Sequence, residues 1–288
     1  MNRQLGPSGP GIGAIGLGCM RLGLAGQDSG DDVGSVLRSA LEAGIRLFDT
    51  ADIYGPPATP VGECERWIGS ALRGVAGVTD SLLVATKGGL LRTRSGFRID
   101  ASPRHLQDAC EKSLTALGRD TIDLYQLHAP DPAVPFEESV GALSRLHEVG
   151  KIRFIGLSNI SLLQLEKSCA ITEISSVQNR FGPGHFAPLQ EGWIEECERR
   201  RITFLAHTPL GSPASRDVIE ENLTLRQIGR VRGLSPAQVL LAWYHSRSNS
   251  LIPLPGASRQ ATVRSCGAAG EARLSPAEVK QVELLFES

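Results

Sequence analysis

The sequence lacks any long apolar run and any excess of charge of one sign. No apolar run approaches the roughly 20 residues that a membrane-spanning helix needs, and glycine and proline interrupt residues 1–18, where a signal peptide has an apolar core. The 30 lysine and arginine residues nearly balance the 31 aspartate and glutamate residues. Such a chain produces no long-range field that would attract nucleic acid or an anionic membrane. We therefore expect a cytoplasmic protein without nucleic-acid or membrane partners.

The cysteines and histidines lack the spacings of disulfide frameworks and metal sites. Six cysteines are spread over the chain without a C-x-x-C pair, so we expect reduced cysteines that serve mainly in packing. The six histidines form no H-x-H or H-E-x-x-H pattern, and of these only His128 and His207 fall at predicted strand ends. Two histidines without a bridging carboxylate make a poor metal cage, so we expect no metal.

Eight short apolar runs alternate with amphipathic stretches along the chain. The runs have the length of strands, and the stretches between them repeat apolar residues at helical spacing. Successive runs end about 34 residues apart, which suits a strand followed by a crossover helix. The pattern favours an α/β fold, a closed (β/α)8 TIM barrel, with residues 1–288 as a single domain. An open doubly wound sheet is the alternative, because strand order cannot be read from one sequence. The predicted strands are 15–18, 45–48, 82–85, 122–127, 152–155, 176–177, 202–206 and 251–252.

Glycine and serine-proline pairs mark the ends of the predicted helices. A glycine after a helical stretch supplies the left-handed residue that commonly ends a helix. A serine followed by proline places a capping hydroxyl before a residue that favours the first helical turn. The predicted helix ends are Gly44, Gly74, Gly118 and Gly150, and the predicted starts are Ser102, Ser235 and Ser275.

Six polar residues follow the apolar runs directly and are candidates for an active site. In a (β/α)8 barrel the active site lies at the carboxyl ends of the strands, so these side chains are expected to converge there. Each one alone also has a structural explanation, such as a helix cap, a solvent-exposed lysine or a hydrogen-bonded loop histidine. The coincidence of all six is better explained by one shared site. They are Asp49, Lys87, His128, Ser158, Asn159 and Gln178.

The order of these residues resembles that of the aldo-keto reductase family over nearly the whole chain. The matching segments are 49–55 (Asp-Thr-Ala-Asp-Ile-Tyr-Gly), 62–72, 86–87 (Thr-Lys), 127–128 (Leu-His), 156–159 (Gly-Leu-Ser-Asn) and 177–179 (Val-Gln-Asn). The resemblance implies a TIM barrel with an N-terminal β-hairpin cap and a C-terminal helix. Because the C-terminal tail is short, the chain looks most like the microbial and potassium-channel-beta-subunit-like branches, with an open pocket. The implied catalytic tetrad is Asp49, Tyr54, Lys87 and His128, and the implied contacts to the nicotinamide carboxamide are Ser158, Asn159 and Gln178.

The implied tetrad suits the reduction of a carbonyl group by hydride. The developing alkoxide must receive a proton, and a tyrosine with a pKa near 10 is a reluctant donor at neutral pH. An ammonium from Lys87 favours phenolate and eases proton release, while Asp49 keeps that ammonium charged. His128 donates a hydrogen bond to the carbonyl oxygen. We therefore expect an oxidoreductase that acts on a small-molecule aldehyde or ketone.

The resemblance also implies cofactor contacts after several strands. The expected cofactor contacts include Gly18, Cys19, Met20, Asp49 and Thr208. His207 stands where the family often has an aromatic residue that stacks on the nicotinamide, and Leu210, Gly211 and Ser212 are candidates for the pyrophosphate. Gly256, Ala257, Ser258 and Arg259 resemble the loop that binds the adenosine 2′-phosphate, although Arg259 also has a solvated-surface explanation. Thr262 stands where relatives often have arginine, and Ser265 and Cys266 replace the usual adenine contacts. NADPH (NADP) is the expected cofactor and NADH the alternative.

Several other features leave alternatives open. Residues 11–16 match G-x-G-x-x-G, but no strand precedes them as a dinucleotide-binding loop requires, so a tight turn is expected instead. Arg92, Arg94 and Arg98 either meet an anionic substrate or lie in a solvated loop. The same site also suits a cofactor-binding regulatory subunit, or a redox-assisted isomerase or lyase. Neither the physiological substrate nor the oligomeric state follows from the sequence.

Overall fold

The computed structural model describes residues 3–25, 31–56, 58–73, 82–94 and 96–286. Strands and helices alternate through most of this length. The strands are β1 (Arg3–Gln4), β2 (Gly11–Ile12), β3 (Leu17–Gly18), β4 (Leu47–Asp49), β5 (Leu83–Gly88), β6 (Leu90–Thr93), β7 (Gly96–Ile99), β8 (Ile122–Leu127), β9 (Ile152–Ser158), β10 (Ser176–Arg180), β11 (Thr203–His207) and β12 (Leu251–Leu254).

The helices surround the strands as an outer layer. In the described residues they are α1 (Met20–Ala25), α2 (Val33–Glu42), α3 (Glu63–Arg73), α4 (Pro103–Leu117), α5 (Phe136–Glu148), α6 (Leu162–Cys169), α7 (Ala187–Gln190), α8 (Trp193–Arg200), α9 (Ser215–Glu221), α10 (Leu223–Arg232), α11 (Pro236–Arg247), α12 (Gln260–Glu271) and α13 (Pro276–Glu283). In the same residues, every helix is too short or too polar to cross a membrane.

Eight parallel strands of the described residues form a barrel. They lie in the order β3, β4, β5, β8, β9, β10, β11 and β12, and a bridge between Gly18 and Gly256 joins the two ends of this sheet. The backbone N–H groups of Gly16 and Gly18 donate to the carbonyls of Pro253 (3.1 Å) and Pro255 (3.0 Å). The predicted (β/α)8 TIM barrel is confirmed, and the open doubly wound sheet is wrong.

An N-terminal hairpin covers the end of the barrel where the strands begin. Strands β1 and β2 pair antiparallel, and Leu5 and Ile12 are buried against inward-facing side chains of the barrel such as Leu205 and Ile252. Removing this apolar surface from water stabilises the cap. Gly11 lies in β2, so the G-x-G-x-x-G segment forms a strand of the hairpin and the entry to β3, and it is not a dinucleotide-binding loop. The expected tight turn is replaced in part by this strand.

The predicted helix signals have the expected geometry wherever the structure describes them. Ser235 and Ser275 both form complete capping boxes, and each such cap typically contributes about 1 kcal/mol to the free energy of unfolding. Ser102 accepts from the N–H of His105, and Gly118 ends α4 in the left-handed conformation. Gly44 and Gly150 also have positive φ. Gly74 lies outside the described residues.

Candidate active site

A buried ion pair stands at the carboxyl end of the barrel. Lys87, in β5, directs its Nζ to Oδ2 of Asp49 at 2.7 Å, and both side chains are at most 5% exposed. The same Nζ donates to the carbonyl of Thr50 at 2.9 Å. Burial alone would lower the pKa of Lys87, but the charges of Asp49 and Tyr54 and hydrogen bonds to both raise it above its ordinary value. Lys87 is therefore a charged ammonium in a site almost closed to water.

The second oxygen of Asp49 is held by two amide side chains. Oδ1 accepts from Nε2 of Gln126 at 3.0 Å and from Nε2 of Gln178 at 2.8 Å. A buried carboxylate needs such donors to offset the loss of its hydration. Gln126 received no role from the sequence, because a glutamine in mid-strand carries no motif. Gln178 was expected to bind the nicotinamide carboxamide, yet its amide nitrogen is engaged by Asp49, so Oε1 is its remaining polar atom.

Gly156 makes room for this amide cluster. A Cβ at this position would lie 2.7 Å from Cγ of Gln126 and 2.5 Å from Oγ of Ser176. Both distances are shorter than a van der Waals contact. Any larger residue at position 156 would therefore displace Gln126 from Asp49. The glycine of the segment 156–159 thus has a steric explanation.

Tyr54 lies beside the ion pair. Nζ of Lys87 is 5.2 Å from the centre of the Tyr54 ring. Burial raises the pKa of Tyr54, and the Lys87 ammonium and its hydrogen bond lower it by less, so the net shift is upward. Lys87 lowers the pKa of Tyr54, as expected from the sequence, but burial raises this pKa by more. The phenol therefore stays protonated at neutral pH.

His128 faces Tyr54 across the same opening. The two rings are 6.1 Å apart and nearly perpendicular, at 84°. Burial, followed by the charges of Lys87 and His207, holds the pKa of His128 well below its ordinary value, so the imidazole is neutral. Its Nδ1 is buried and has no hydrogen-bond partner in the described part of the chain. A neutral imidazole carries one N–H and one acceptor nitrogen.

Polar residues with unusual backbone conformations follow β9 and β11, the two strands on either side of β10. Asn159 and Thr208 have φ of 57° and 61°, in the left-handed region that few residues other than glycine adopt. Asn159 uses its amide to hold the His128 carbonyl (2.9 Å) and Oγ of Ser158 (3.1 Å). Nδ1 of His207 contacts Oγ1 of Thr208 at 3.0 Å, and burial lowers the pKa of His207 to about 4. Strained conformations of this kind cluster at functional sites.

Arg92 fixes the segment that follows Tyr54. This side chain, in the unpredicted hairpin formed by β6 and β7, donates to the carbonyls of Ile53, Pro56 (3.1 Å) and Thr59 (3.0 Å). Its guanidinium is thus occupied by backbone oxygens. The other two arginines of this loop, Arg94 and Arg98, are exposed, and Arg98 lies 3.9 Å from Asp100.

A pair of buried carboxyl groups, absent from the predicted site, lies behind Lys87. Glu65 accepts from Oγ1 of Thr86 at 2.6 Å, and the N–H of Asp52 donates to the carbonyl of Lys87 at 3.2 Å. Burial raises the pKa of both groups, and the neighbouring Glu65 raises that of Asp52 further. Burial thus disfavours the charged form of both acids, and Asp49, in direct contact with the Lys87 ammonium, is its ion-pair partner. In the described residues, no three histidine, cysteine, aspartate or glutamate side chains group so as to hold a metal ion.

The segments predicted to contact the cofactor surround the closure of the barrel. Gly18 bridges Gly256, and a Cβ on Gly256 would lie 3.2 Å from Cδ of Arg21, an exposed residue that the sequence did not single out. Leu210 is partly buried against the core, and Gly211 (φ 70°) packs closely on Ser215. The remaining predicted contacts differ in exposure. Met20, Ser212, Arg259, Thr262 and Ser265 are exposed, Ser258 is partly buried, and Cys19, Ala257 and Cys266 are buried.

Two details of α12 differ from the expected adenosine site. Cys266 packs with Ile15, Leu241 and Ala269 in an apolar cluster, so its side chain is directed to the core. At the start of the helix, the carboxylate of Asp31 accepts from the backbone N–H of Gln260 at 2.9 Å and from its side chain at 3.0 Å. A carboxylate therefore already occupies the electropositive end of α12.

Comparison with known proteins identifies one family. The aldo/keto reductase family model matches residues 14–287. A curated relative from Glycine max, described as probable aldo-keto reductase 1, is 32% identical over 285 residues, covering 89% of this chain and 80% of that protein. The structure of the glycerol dehydrogenase AKR11B4 from Gluconobacter oxydans is 25% identical with a TM-score of 0.82, covering 99% of this chain and 94% of that one. An aldo/keto reductase from Klebsiella pneumoniae, solved with NADP and acetate, is 24% identical with a TM-score of 0.82, covering 99% and 96%.

The fold and the comparisons define a TIM-barrel oxidoreductase that depends on a nicotinamide cofactor. The chain belongs to the aldo/keto reductase family, which confirms the resemblance stated from the sequence.

Proposed function

We propose that this protein reduces an aldehyde or ketone, or oxidises the corresponding alcohol, with Tyr54 as general acid and base. The position of the Lys87 ammonium is the observation that carries the proposal. It contacts Asp49 at 2.7 Å and lies 5.2 Å from the centre of the Tyr54 ring. An ammonium between a carboxylate and a phenol stabilises the phenolate that remains after proton transfer.

Each side chain of the cluster has a distinct task in this proposal. Tyr54 transfers its proton to the carbonyl oxygen as negative charge develops there. Lys87 compensates the charge left on the Tyr54 oxygen, and Asp49 keeps Lys87 charged and oriented. The neutral His128 donates its ring N–H to the same carbonyl oxygen and orients the substrate. When bound, the nicotinamide supplies or accepts the hydride.

The polar groups at the strand ends fit a nicotinamide dinucleotide by their chemistry. The Ser158 hydroxyl, the Asn159 amide and Oε1 of Gln178 suit a carboxamide, which both donates and accepts hydrogen bonds. His207, at the end of β11, offers a flat ring for stacking. The backbone N–H groups of Leu210 and Ser212 would hold the pyrophosphate. The N–H of Gly211 donates instead to the carbonyl of Thr208 at 2.9 Å.

We propose NADPH as the preferred cofactor, with NADH as the alternative. Arg259 would bind the 2′-phosphate, and Arg21 adds a second guanidinium beside Gly256. The Klebsiella pneumoniae relative was solved with NADP. Asp31 opposes this preference because its carboxylate, which accepts the N–H of Gln260, places a negative charge at the start of α12. We therefore expect only modest discrimination between the two cofactors.

The substitution Tyr54→Phe tests the catalytic assignment. We expect turnover of a broad panel of aldehydes, followed by cofactor absorbance, to fall at least about 100-fold, because the general acid is lost. Cofactor affinity, measured by fluorescence titration, should stay unchanged. The matched control Tyr125→Phe removes a buried phenol that donates to the Leu106 carbonyl, and it should retain turnover. Near-normal turnover in Tyr54→Phe would refute the proposal.

A further inference from the structure

A cavity lies at the end of the barrel opposite Tyr54. It has a volume of about 580 Å³ and is bordered by residues 10–15, which lead from the hairpin into β3, and by residues 43–46, which lead into β4. The carboxyl ends of α11 and α12 complete its wall. We call it the basal cavity. None of the residues assigned to the active site borders it.

The basal cavity is lined by more positive than negative side chains. Arg3, Arg46 and Arg273 border it, against the single carboxylate of Glu271. Arg3 is only 4% exposed. Burial, followed by the charge of Arg273, lowers the pKa of Arg3 to about 10, so the guanidinium still carries its charge at neutral pH. Charges taken out of water in this way are costly unless an anion offsets them.

Capping of helix ends explains part of this arrangement. Arg3 donates to the carbonyl of His245 at 2.5 Å, in the last turn of α11, and Arg46 donates to the carbonyl of Leu41 at 2.6 Å, in the last turn of α2. Carbonyl oxygens satisfy N–H groups but carry no full negative charge. In the described residues, the partners of Arg3 are neutral oxygens of His245 and Asn249, and no carboxylate pairs with it.

Two residues that border the basal cavity each have one polar atom without a hydrogen-bond partner among the described residues. These atoms are Nε of Arg3 and Nδ1 of His245, both buried. Nε2 of His245 donates to the carbonyl of Ala269 at 2.9 Å, so Nδ1 is an unused acceptor. Buried polar groups are nearly always hydrogen-bonded. An oxyanion would satisfy the Nε donor of Arg3, whereas the Nδ1 acceptor of His245 suits a hydroxyl of the ligand.

We propose that the basal cavity binds an oxyanion of the phosphate type, as inorganic phosphate or as the phosphoryl group of a small phosphomonoester. The guanidinium groups of Arg46 and Arg273 add positive charge to that of Arg3 and attract an oxyanion. Arg46 also donates to the carbonyls of Leu41 and Ile45, and Arg273 to oxygens of His245 and Asn249. A cavity of about 580 Å³ holds an organic group attached to the phosphoryl group as well. This site is separate from the proposed cofactor contacts and does not depend on them.

Calorimetric titration of the cofactor-free protein with inorganic phosphate, at constant ionic strength, tests the site. We expect saturable binding that weakens at least about fivefold in Arg273→Gln, because an exposed guanidinium is lost. Binding should strengthen in Glu271→Gln, because the opposing carboxylate is lost. Both residues are exposed, so these variants are expected to fold. Arg3→Gln, checked for folding by circular dichroism, should weaken binding as well.

Two controls separate this site from other phosphate-binding positions. Arg226→Gln removes an exposed arginine of α10 and should leave the affinity unchanged, which excludes a general charge effect. Arg259→Gln alters the proposed 2′-phosphate contact and should also leave it unchanged. A parallel titration with ribose 5-phosphate distinguishes a phosphomonoester, which should bind more tightly, from free phosphate. Absence of binding, equal affinities in Arg273→Gln and Glu271→Gln, or loss in Arg259→Gln alone would overturn the proposal.

Discussion

Gln126 donates to Oδ1 of Asp49 at 3.0 Å, although β5 lies between their strands in the barrel wall. The hydrogen bond therefore crosses the interior and joins β8 to β4 above Lys87. Gln178 reaches the same oxygen from β10 at 2.8 Å. Side chains from β8 and β10 thus fix the orientation of a carboxylate in β4. This fixed carboxylate in turn orients Lys87.

The substitution Gln126→Met should weaken this anchor. It keeps the length of the side chain but removes a donor to a buried carboxylate, which typically costs about 1.5–3 kcal/mol of unfolding free energy. We expect that loss in urea denaturation, together with a lower kcat and little change in cofactor affinity. Gln107→Met, on the exposed face of α4, is the matched control. Unchanged stability and turnover in Gln126→Met would contradict the positioning role of Gln126.

The substitution Arg92→Gln should loosen the segment after Tyr54. Arg92 holds the carbonyls of Ile53, Pro56 and Thr59, so its loss should lower kcat through a less well placed phenol. The same proportional decrease is expected for neutral and for carboxylate-bearing aldehydes. If KM rose for the anionic aldehydes only, Arg92 would instead contact substrate. Arg94→Gln, in the same hairpin but exposed, should behave like the unmodified protein.

The free energy of unfolding should decrease as the pH falls below 6.5, the ordinary pKa of histidine. The pKa of His128 is depressed, so the folded state binds a proton less readily than the unfolded state. His128 therefore contributes stability that is present above pH 6.5 and is lost as the pH falls below it, at up to about 1.4 kcal/mol per pH unit. Denaturation at pH 7.5, 6.0 and 5.0 should show a shallower decline in His128→Gln. Equal declines would argue against a neutral, buried His128.

The substitution Asp31→Asn should raise the affinity for NADPH about three- to tenfold and leave that for NADH nearly unchanged. The change removes a negative charge from the start of α12 while preserving an acceptor for the Gln260 N–H. Fluorescence titration with each cofactor gives the ratio of the affinity for NADPH to the affinity for NADH. Asp32→Ser removes a neighbouring charge and keeps a side chain that can cap α2, so it should change the ratio less. If Asp31→Asn left the ratio unchanged, Asp31 would not oppose the 2′-phosphate.

All eight barrel strands were predictable, although several are longer than predicted. Apolar runs mark their buried portions, but β9, β10 and β12 continue beyond the predicted 155, 177 and 252. The added residues include Gly156, Gln178 and Pro253, which have low strand propensity and which neighbouring strands hold in extended conformation by hydrogen bonds. The hairpin of β6 and β7 was missed because half of its strand residues are polar or glycine and none of them is buried.

The site was predictable where strand ends and family motifs mark it, and only there. Asp49, Lys87 and His128 follow apolar runs, and the structure brings them together with Tyr54. Gln126 escaped notice because an inward-facing amide in mid-strand has no sequence signal. Asp31 meets Gln260 across 229 residues of chain, a contact that one sequence does not reveal.

The hairpin that covers the start of the barrel has a further consequence. Leu5 and Ile12 close the barrel against water from that side. These apolar side chains separate the end of the barrel that carries Tyr54 from the basal cavity. A ligand at the far end does not contact Tyr54. Any influence on turnover would pass through the strands that both ends share, or through the field of the ligand's charge, which an apolar core screens only weakly.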